Sequence, residues 1–355
     1  MVGEDNDAIL ESTGRRRFLK ATGVGSAVGL AGLTGLGAAQ EYPSDDIELI
    51  VPWAAGGGTD RTARQLASLA ENELDTSVFV TNQTGGSGSA GFRAAANAEA
   101  DGHTVGVLTV EIATISHLGI ADITPDDFDA VMQYNFDPAS LTVHEDAPYS
   151  TIEEFVSYAE DNPGEIRISN SGIGAIWHLS AAQMAQQVGI DVEHIGYDGG
   201  APATQAVVNG EVEATTASAA EVAPQVQDGP LNMLAVFGEE RNDLFPDVPT
   251  LREKDIDVTI GAWRGLGVPS GTPDERVQTL NGAFQSVYES DDFQSFMDEN
   301  GFGLVNRGPE EYGEFMASEL DRFEEIVANL GLGPGGDGGT ETESGTTTAS
   351  ETTSS

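Results

Sequence analysis

Cysteine is missing from the whole chain of 355 residues. Disulfide bonds are therefore excluded, and so is the attachment of a lipid through a cysteine. The folded part of the chain must rely on its hydrophobic core for stability. The chain is long enough to do so, because its length suffices for two ordinary domains.

Basic residues are scarce as well. Lys and Arg total 15 against 59 Asp and Glu, which gives a formal net charge of -44. Nucleic acid is excluded as a partner, because phosphate recognition needs clustered cations. The excess charge weakens a compact fold in dilute buffer, whereas molar salt, with a screening length of about 3 Å, removes most of the repulsion. The composition therefore predicts a halophilic protein whose acidic surface serves solvation.

Motifs for hydrolysis and for phosphate binding are also missing. No Gly-x-Ser-x-Gly elbow is present, and no glycine loop continues into Lys and Ser or Thr. None of the five histidines forms a close pair suited to a metal. These histidines are His103, His117, His144, His178 and His194. We therefore predict that the protein is not an enzyme and that it has no metal and no cofactor.

The N-terminal region has the pattern of an export signal. Arg15-Arg16-Arg17-Phe18-Leu19-Lys20 precedes an apolar run that ends in Gly37-Ala38-Ala39. Paired arginines, a short apolar segment and small residues are typical of a twin-arginine signal. The alternative is a retained membrane anchor, but a spanning helix needs about 20 strongly apolar residues. We predict a leader and twin-arginine signal over residues 1–39 and a location outside the cytoplasm, at the cell surface or secreted.

The C-terminal segment 333–355 consists almost entirely of Gly, Thr, Ser and Glu. Such a segment cannot bury enough apolar surface to offset its chain entropy, so we predict a disordered tail. Between the two ends, short β-type runs alternate with amphipathic helical patterns, which is typical of βαβ units and a parallel sheet. The predicted strands are 47–51, 77–80, 104–108, 166–168 and 192–195, with helices over 152–159 and 176–188.

Three polar turns between strands and helices are candidates for binding. They are Pro52–Asp60, Asn82–Gly91 and Ser169–Gly174, all rich in glycine or hydroxyl and amide side chains. In a parallel sheet these turns share one edge, where helix N-termini present unpaired N–H groups to anions. They suit a small carboxylate. A simple turn is the alternative for each, and Gly86–Gly91 also fits a dinucleotide fingerprint.

An ordered series of motifs resembles a known family. Pro52–Arg64, Asn82–Gly91, Asp101–Thr104, Ile195–Ala203 and Gly267–Pro273 follow one another in the order expected for the solute-binding receptors of tripartite tricarboxylate transporters. This group is also called the Bug or TctC family. The resemblance covers roughly residues 47–332. It implies an α/β type II periplasmic-binding-protein fold, with two lobes of mixed, mostly parallel sheets and a ligand cleft between them.

The resemblance also implies lobe boundaries. The first lobe would comprise residues 45–141 and, after the chain returns, 264–332, while 142–263 would form the second lobe. The crossings are expected near Ala139–Val143 and Gly261–Gly267. Closure on a ligand is then a hinge motion that brings the polar turns of both lobes together.

Two residues depart from the family pattern and bear on the ligand. Arg264 follows Trp263 where a neutral residue is common, and it either pairs with a ligand carboxylate or serves as a surface cation. Glu111 stands where small neutral residues are usual, and in the cleft it would favour an amine-bearing or neutral ligand over a bare dianion. His178 opens a helix beside a polar loop, either as a ligand contact or as a packed, hydrogen-bonded histidine.

The resemblance and the turns together give a set of candidate ligand-binding residues, drawn from both lobes. The set is Trp53, Ala54, Ala55, Gly56, Gly57, Gly58, Thr59, Asp60, Asn82, Gly85, Ser87, Thr109, Glu111, Ser169, Asn170, Ser171, Gly172, His178, Tyr197, Gly199, Ser218 and Arg264.

These features predict an extracytoplasmic, monomeric receptor. It would capture a small organic carboxylate and deliver it to the membrane permease subunits of a tripartite transporter. The alternative is an exported nucleotide-dependent oxidoreductase that uses Gly86–Gly91.

The charge excess makes a prediction about salt. Below roughly a few hundred millimolar salt the mature protein should lose its fold, because the self-repulsion of its acidic surface is no longer screened. Melting curves recorded during stepwise dialysis from molar salt into dilute buffer measure this. An unchanged melting temperature would contradict the prediction.

Overall fold

A computed structural model describes residues 42–334. The predicted twin-arginine signal and residues 335–355 of the predicted tail lie outside the described residues. Among the described helices, none combines the length and the apolar character that crossing a bilayer requires.

Strands and helices alternate along the described chain, as the sequence pattern predicts. The strands are β1 (Ile47–Val51), β2 (Val78–Asn82), β3 (Thr104–Thr109), β4 (Phe128–His144), β5 (Arg167–Asn170), β6 (Glu193–Gly196), β7 (Ala214–Ser218), β8 (Leu231–Val236), β9 (Gly261–Pro269) and β10 (Leu304–Arg307). The helices are α1 (Gly58–Leu74), α2 (Ser89–Ala96), α3 (Ile152–Asp161), α4 (Ile176–Val188), α5 (Gly200–Val208), α6 (Ala219–Gln227), α7 (Asp274–Glu289), α8 (Asp291–Glu299) and α9 (Pro309–Asn329).

Two sheets share one long strand. In the first sheet the strand order is β2-β1-β3-β9-β4, with β10 on the far side of β4. In the second sheet β4 pairs with β7 and β8, and β5 and β6 continue beyond β7. The half of β4 up to Pro138 pairs with β9, and the half from Ala139 pairs with β7. The chain therefore forms two lobes joined through β4.

The sheets are mixed, as predicted, but less parallel than expected. Among the ten named strands, parallel pairing is confined to β1 with β2 and β3, and to β5 with β6 and β7. Every antiparallel pairing involves β4 or β9. Strand β4 crosses from the first lobe to the second, and β9 returns to the first lobe. Each therefore runs opposite to the neighbouring strand of a βαβ unit, β4 against β7 and β9 against β3.

Helix α1 shows how the sequence pattern sets the packing. Its apolar residues recur at helical spacing, and Ala63, Leu66, Ala67, Ala70 and Leu74 are all buried. This stripe packs on the first sheet together with α7 and α8. The first turn of α1 is thereby held at the edge of the sheet that faces the second lobe.

A second apolar cluster is continuous through the crossing strand β9. Trp263 is fully buried and lies in one cluster with Phe92 of the first lobe and with Phe155 and Ile168 of the second. Phe323 of α9 belongs to the same cluster. The two lobes therefore share core packing at their junction.

Gly261 marks the closest approach of the two crossing segments. A Cβ at this position would overlap the carbonyl oxygen of Asp137 and lie 2.8 Å from Cα of Pro138. Both are backbone atoms, which cannot move aside as a flexible side chain can.

We predict that Gly261→Ala lowers the free energy of unfolding by about 2–3 kcal/mol, because overpacking against rigid neighbours costs about that much. Denaturant unfolding in molar salt measures it. Gly282→Ala is the matched control, since nothing lies within 4 Å of its added Cβ and α7 should gain slightly in stability. Equal stability of the two variants would contradict the proposed crowding at the crossing.

Candidate functional site

The turns that follow the parallel strands of the two lobes meet across a cleft. At its rim the N–H of Ala54 donates to the carbonyl oxygen of Asp198 at 3.0 Å. The hydroxyl of Ser87 donates to the carbonyl oxygen of Ile173 at 2.6 Å. The first and second polar turns therefore contact the second lobe directly, and the structure shows the lobes closed on each other.

The closed lobes enclose a cavity of about 20 Å³, which has room for about one water molecule. Eight of the candidate residues line it: Trp53, Gly57, Gly58, Thr59, Thr109, Glu111, Ser171 and Arg264. Five further residues line the cavity but were not among the candidates predicted from the sequence: Ile176, Trp177, Gly200, Glu221 and Ala262.

Three helices begin at this cavity. Gly58, Ile176 and Gly200 are the first residues of α1, α4 and α5, and all three line the wall. The first N–H groups of a helix have no partner within the helix, and the aligned peptide dipoles add partial positive charge there. The wall of the cavity therefore attracts negative charge from three directions.

Arg264 is the cation of the cavity and is only 2 % exposed. Its Nη1 donates to Asn135 and Asp137, both on β4, while Nε donates to the hydroxyl of Thr59 at 3.0 Å. Burial lowers the pKa of the guanidinium, but the carboxylates of Asp137 and Glu221 more than offset this and raise it. Arg264 is thus a charged, buried residue of the cleft, and the alternative of a surface cation is wrong.

Glu111 reaches across the cleft from the first lobe. It lies in a short 3-10 helix, Val110–Ala113, and is 2 % exposed. Its Oε1 accepts a hydrogen bond from the N–H of Ile176 at 3.0 Å, and its Oε2 accepts one from the hydroxyl of Thr109. Burial raises the pKa of Glu111, and the hydrogen bonds from Ile176 and Thr109 oppose this increase. A side-chain carboxylate thus lies at the N-terminus of α4.

Glu221 makes the reciprocal contact from the second lobe. Its Oε1 accepts from the N–H of Gly58 at 3.1 Å and lies 3.9 Å from Nη2 of Arg264. Its Oε2 accepts from the backbone N–H and the hydroxyl of Ser218, each at 3.1 Å, in a capping box at the start of α6. The Ser-x-x-Glu spacing was the signal that could have drawn attention to Glu221. The contact of Glu221 with Gly58 of α1 forms only when the two lobes close, so no spacing in the sequence indicates it.

A family model identifies the chain. The model of the tripartite tricarboxylate transporter family receptor, TctC, matches residues 62–332. The chain belongs to this family. The matched range includes Gly86–Gly91, the segment on which the oxidoreductase alternative depended, so that alternative is left without support.

Solved structures of TctC receptors and related proteins share the fold. A TctC solute-binding protein from Polaromonas, solved without ligand, is 38% identical over 81% of this chain and 100% of its own, with a TM-score of 0.61. MatC from Rhodopseudomonas palustris, with bound malate, is 26% identical over 81% of this chain and 100% of its own, with a TM-score of 0.77. Another R. palustris protein, with adipate, is 26% identical over 83% and 100%, with a TM-score of 0.79.

These similarities confirm the two-lobed periplasmic-binding-protein fold. The protein is a solute-binding receptor, and its similarity to the periplasmic binding protein BugD, with membership in the TctC family, implies a location outside the cytoplasm.

Several candidate residues of this TctC receptor lie at the rim rather than in the cavity wall. Ala55 and Gly56 are exposed. Gly199 is buried against Ala54, so a Cβ there would lie 3.1 Å from the Ala54 nitrogen. The half-exposed candidates at the rim are Ala54, Gly85, Ser87, Gly172 and Tyr197.

The polar side chains of the remaining candidates form hydrogen bonds within their own lobe. Asp60 accepts hydrogen bonds from Gly56 N–H, Arg64 and Asn82, so it organises the first turn. The Ser169 hydroxyl donates to the carbonyl oxygen of Ala203 at 2.9 Å. Two others also bond locally, and neither lines the cavity: Asn170, whose Oδ1 accepts from Gly172 N–H, and Ser218, the cap of α6.

His178 packs inside the second lobe and does not line the cavity. Its Nδ1 accepts the N–H of Gly174 at 3.0 Å, and its ring meets that of His194 edge-to-face at 4.5 Å. Burial lowers the pKa of His178 to about 3, with a contribution from His194, and burial lowers the pKa of His194 to about 4. His178 was expected to be either a ligand contact or a packed, hydrogen-bonded histidine, and the structure shows the second.

This pair makes the receptor sensitive to acid. Both pKa values lie below the ordinary 6.5, so the stabilisation is complete above pH 6.5 and is lost as the pH falls from there to about 4 for His194 and about 3 for His178. Between pH 7 and pH 5 we predict a loss of about 2–4 kcal/mol in the free energy of unfolding. Denaturant unfolding at each pH, in molar salt, measures it.

His194→Gln should remove roughly half of this pH dependence, because only His178 then remains to be protonated on unfolding. His103→Gln is the matched control, since His103 bonds to Asp101 outside this pair. The prediction fails if His103→Gln reduces the pH dependence of the free energy of unfolding as much as His194→Gln does.

Proposed function

We propose that this receptor captures a small organic carboxylate between its lobes and delivers it, unchanged, to the membrane permease of a tripartite transporter. The observation that carries the proposal is the convergence of three helix N-termini and Arg264 on one closed cavity. Backbone N–H groups and a guanidinium are the donors that carboxylates bind most strongly. The relatives solved with malate and adipate support this class of ligand.

The hinge supports a capture mechanism. The sheets divide between Pro138 and Ala139 of β4, close to the crossing at Gly261. Opening there separates Glu111 from Ile176 and Gly58 from Glu221, which frees the N–H groups for a ligand. Closure then buries the ligand and adds contacts that only the closed state makes. We propose lobe boundaries at about residues 141 and 263 on this basis.

The route and setting of the protein are part of the proposal. The arginines at 15–17 support export by the twin-arginine route, which places the folded receptor outside the cytoplasm. The net charge of -44 supports a working environment of high salt. We propose that the receptor acts there as a monomer.

Calorimetry in molar salt with a panel of mono-, di- and tricarboxylates and amino acids tests the function. We expect one class of carboxylate to bind. Gly58→Ala should weaken that ligand at least tenfold, about 1.4 kcal/mol, because the added Cβ would lie 2.7 Å from Nη2 of Arg264 and fill the approach to α1.

Gly313→Ala provides the control, since its Cβ would meet only the Ala130 side chain at 3.9 Å, away from the cleft. It should bind like the unaltered receptor. If the unaltered receptor binds no compound of the panel, the proposed function is overturned.

A further inference from the structure

The cavity carries more negative than positive charge. Two carboxylates, Glu111 and Glu221, and one guanidinium, Arg264, line it. Arg264 is already paired with the buried Asp137. A ligand that brings two further carboxylates would therefore enter a cleft whose only lining cation, among the described residues, is already compensated. In a site that excludes water, such repulsion is much stronger than in bulk solvent.

The N-terminus of α4 is already occupied by a carboxylate of the protein. Glu111 Oε1 takes the N–H of Ile176, the first residue of the helix. The Thr109 hydroxyl accepts a hydrogen bond from Nε1 of Trp53 at 3.2 Å, which leaves its own proton for Oε2 of Glu111. Both oxygens of Glu111 are thus acceptors, as in an ionised carboxylate.

The opposite wall keeps a donor for one carboxylate. Among the described residues Arg264 donates hydrogen bonds from Nε and Nη1, and Oε1 of Glu221 lies 3.9 Å from Nη2, beyond hydrogen-bond distance. A Cβ built on Gly58 would come within 2.7 Å of that nitrogen, so the nitrogen lies against the start of α1. One wall therefore presents Nη2 of Arg264 beside the start of α1, where Glu221 accepts the Gly58 N–H in the closed state, and the other presents the carboxylate of Glu111.

We infer that the ligand carries one carboxylate and one amino group, as an amino acid with an uncharged side chain does, and that Glu111 is the residue that selects it. The carboxylate binds Nη2 of Arg264 and takes over from Glu221 the N–H of Gly58 at the start of α1, and the ammonium group lies against Glu111. A dicarboxylate would place its second negative charge against Glu111 and is rejected. This inference rests on the proposed function, since it names the class of carboxylate.

The test is calorimetry on the full chain in molar salt. The probes are L-alanine, L-valine and 4-aminobutyrate against succinate, malate and adipate. We expect at least one amino acid to bind about tenfold or more tightly than every dicarboxylate. In Glu111→Gln, which keeps the shape but removes the charge, this preference should fall about tenfold or more. A neutral side chain no longer attracts the ammonium group and no longer repels a second carboxylate.

Glu319→Gln is the matched control. Glu319 is also a buried carboxylate, but it bonds to Trp263 Nε1 and Arg322 and does not line the cavity. Its replacement should leave the preference unchanged. Glu111→Asp keeps the charge and should keep the preference, which provides a readout if Glu111→Gln does not fold.

The outcomes separate the two proposals. Dicarboxylates that bind as tightly as the amino acids overturn the role of Glu111 and leave the carboxylate receptor intact. A preference that survives in Glu111→Gln, or that falls equally in Glu319→Gln, also overturns it. Binding of only a tricarboxylate, or of only a monocarboxylate that has no amino group, also overturns the role of Glu111 and leaves the carboxylate receptor intact. Failure of the whole carboxylate and amino-acid panel to bind the unaltered receptor overturns the proposed function instead.

Discussion

The buried ion pair of Arg264 and Asp137 is the interaction on which the cleft depends. It joins β9 to β4 where β4 leaves the first sheet for the second. Asn135, also on β4, accepts a further hydrogen bond from Nη1 of Arg264. Loss of one partner would leave the other charge buried and uncompensated, at a cost of about 3–5 kcal/mol. Because the same guanidinium bonds to Thr59, the hinge, the start of α1 and the cation of the site are held as one unit.

The contacts that close the lobes also decide what can bind between them. Glu111 and Glu221 each cross the cleft to a helix N-terminus of the opposite lobe. A helix N-terminus stabilises any suitably placed carboxylate, whether it belongs to the protein or to a ligand. A ligand therefore competes with these side chains during closure, and its own charge determines whether it can replace one of them or must pair with it.

Much of the fold and part of the site could be predicted from the chain alone. The apolar periodicity of α1 and the bounds of β1 and α4 follow from local pattern, because α1 buries one stripe of its surface and β1 is a short apolar run. Gly57, Gly58 and Thr59 were found because a glycine turn before a helix has a local signature. Contacts such as Ile176 with Glu111 have none, since they join residues far apart in the chain.

By itself the sequence determined the α/β class, the family, the lack of disulfides and the strong negative charge, because these depend on composition and on the order of motifs. Only the tertiary structure decided which side chains enter the cleft. It buried Arg264 beside Asp137, placed Glu111 at the start of α4, and packed His178 against His194 away from the cavity. Orientation across a hinge depends on the relative position of two lobes, and no local pattern of residues encodes that position.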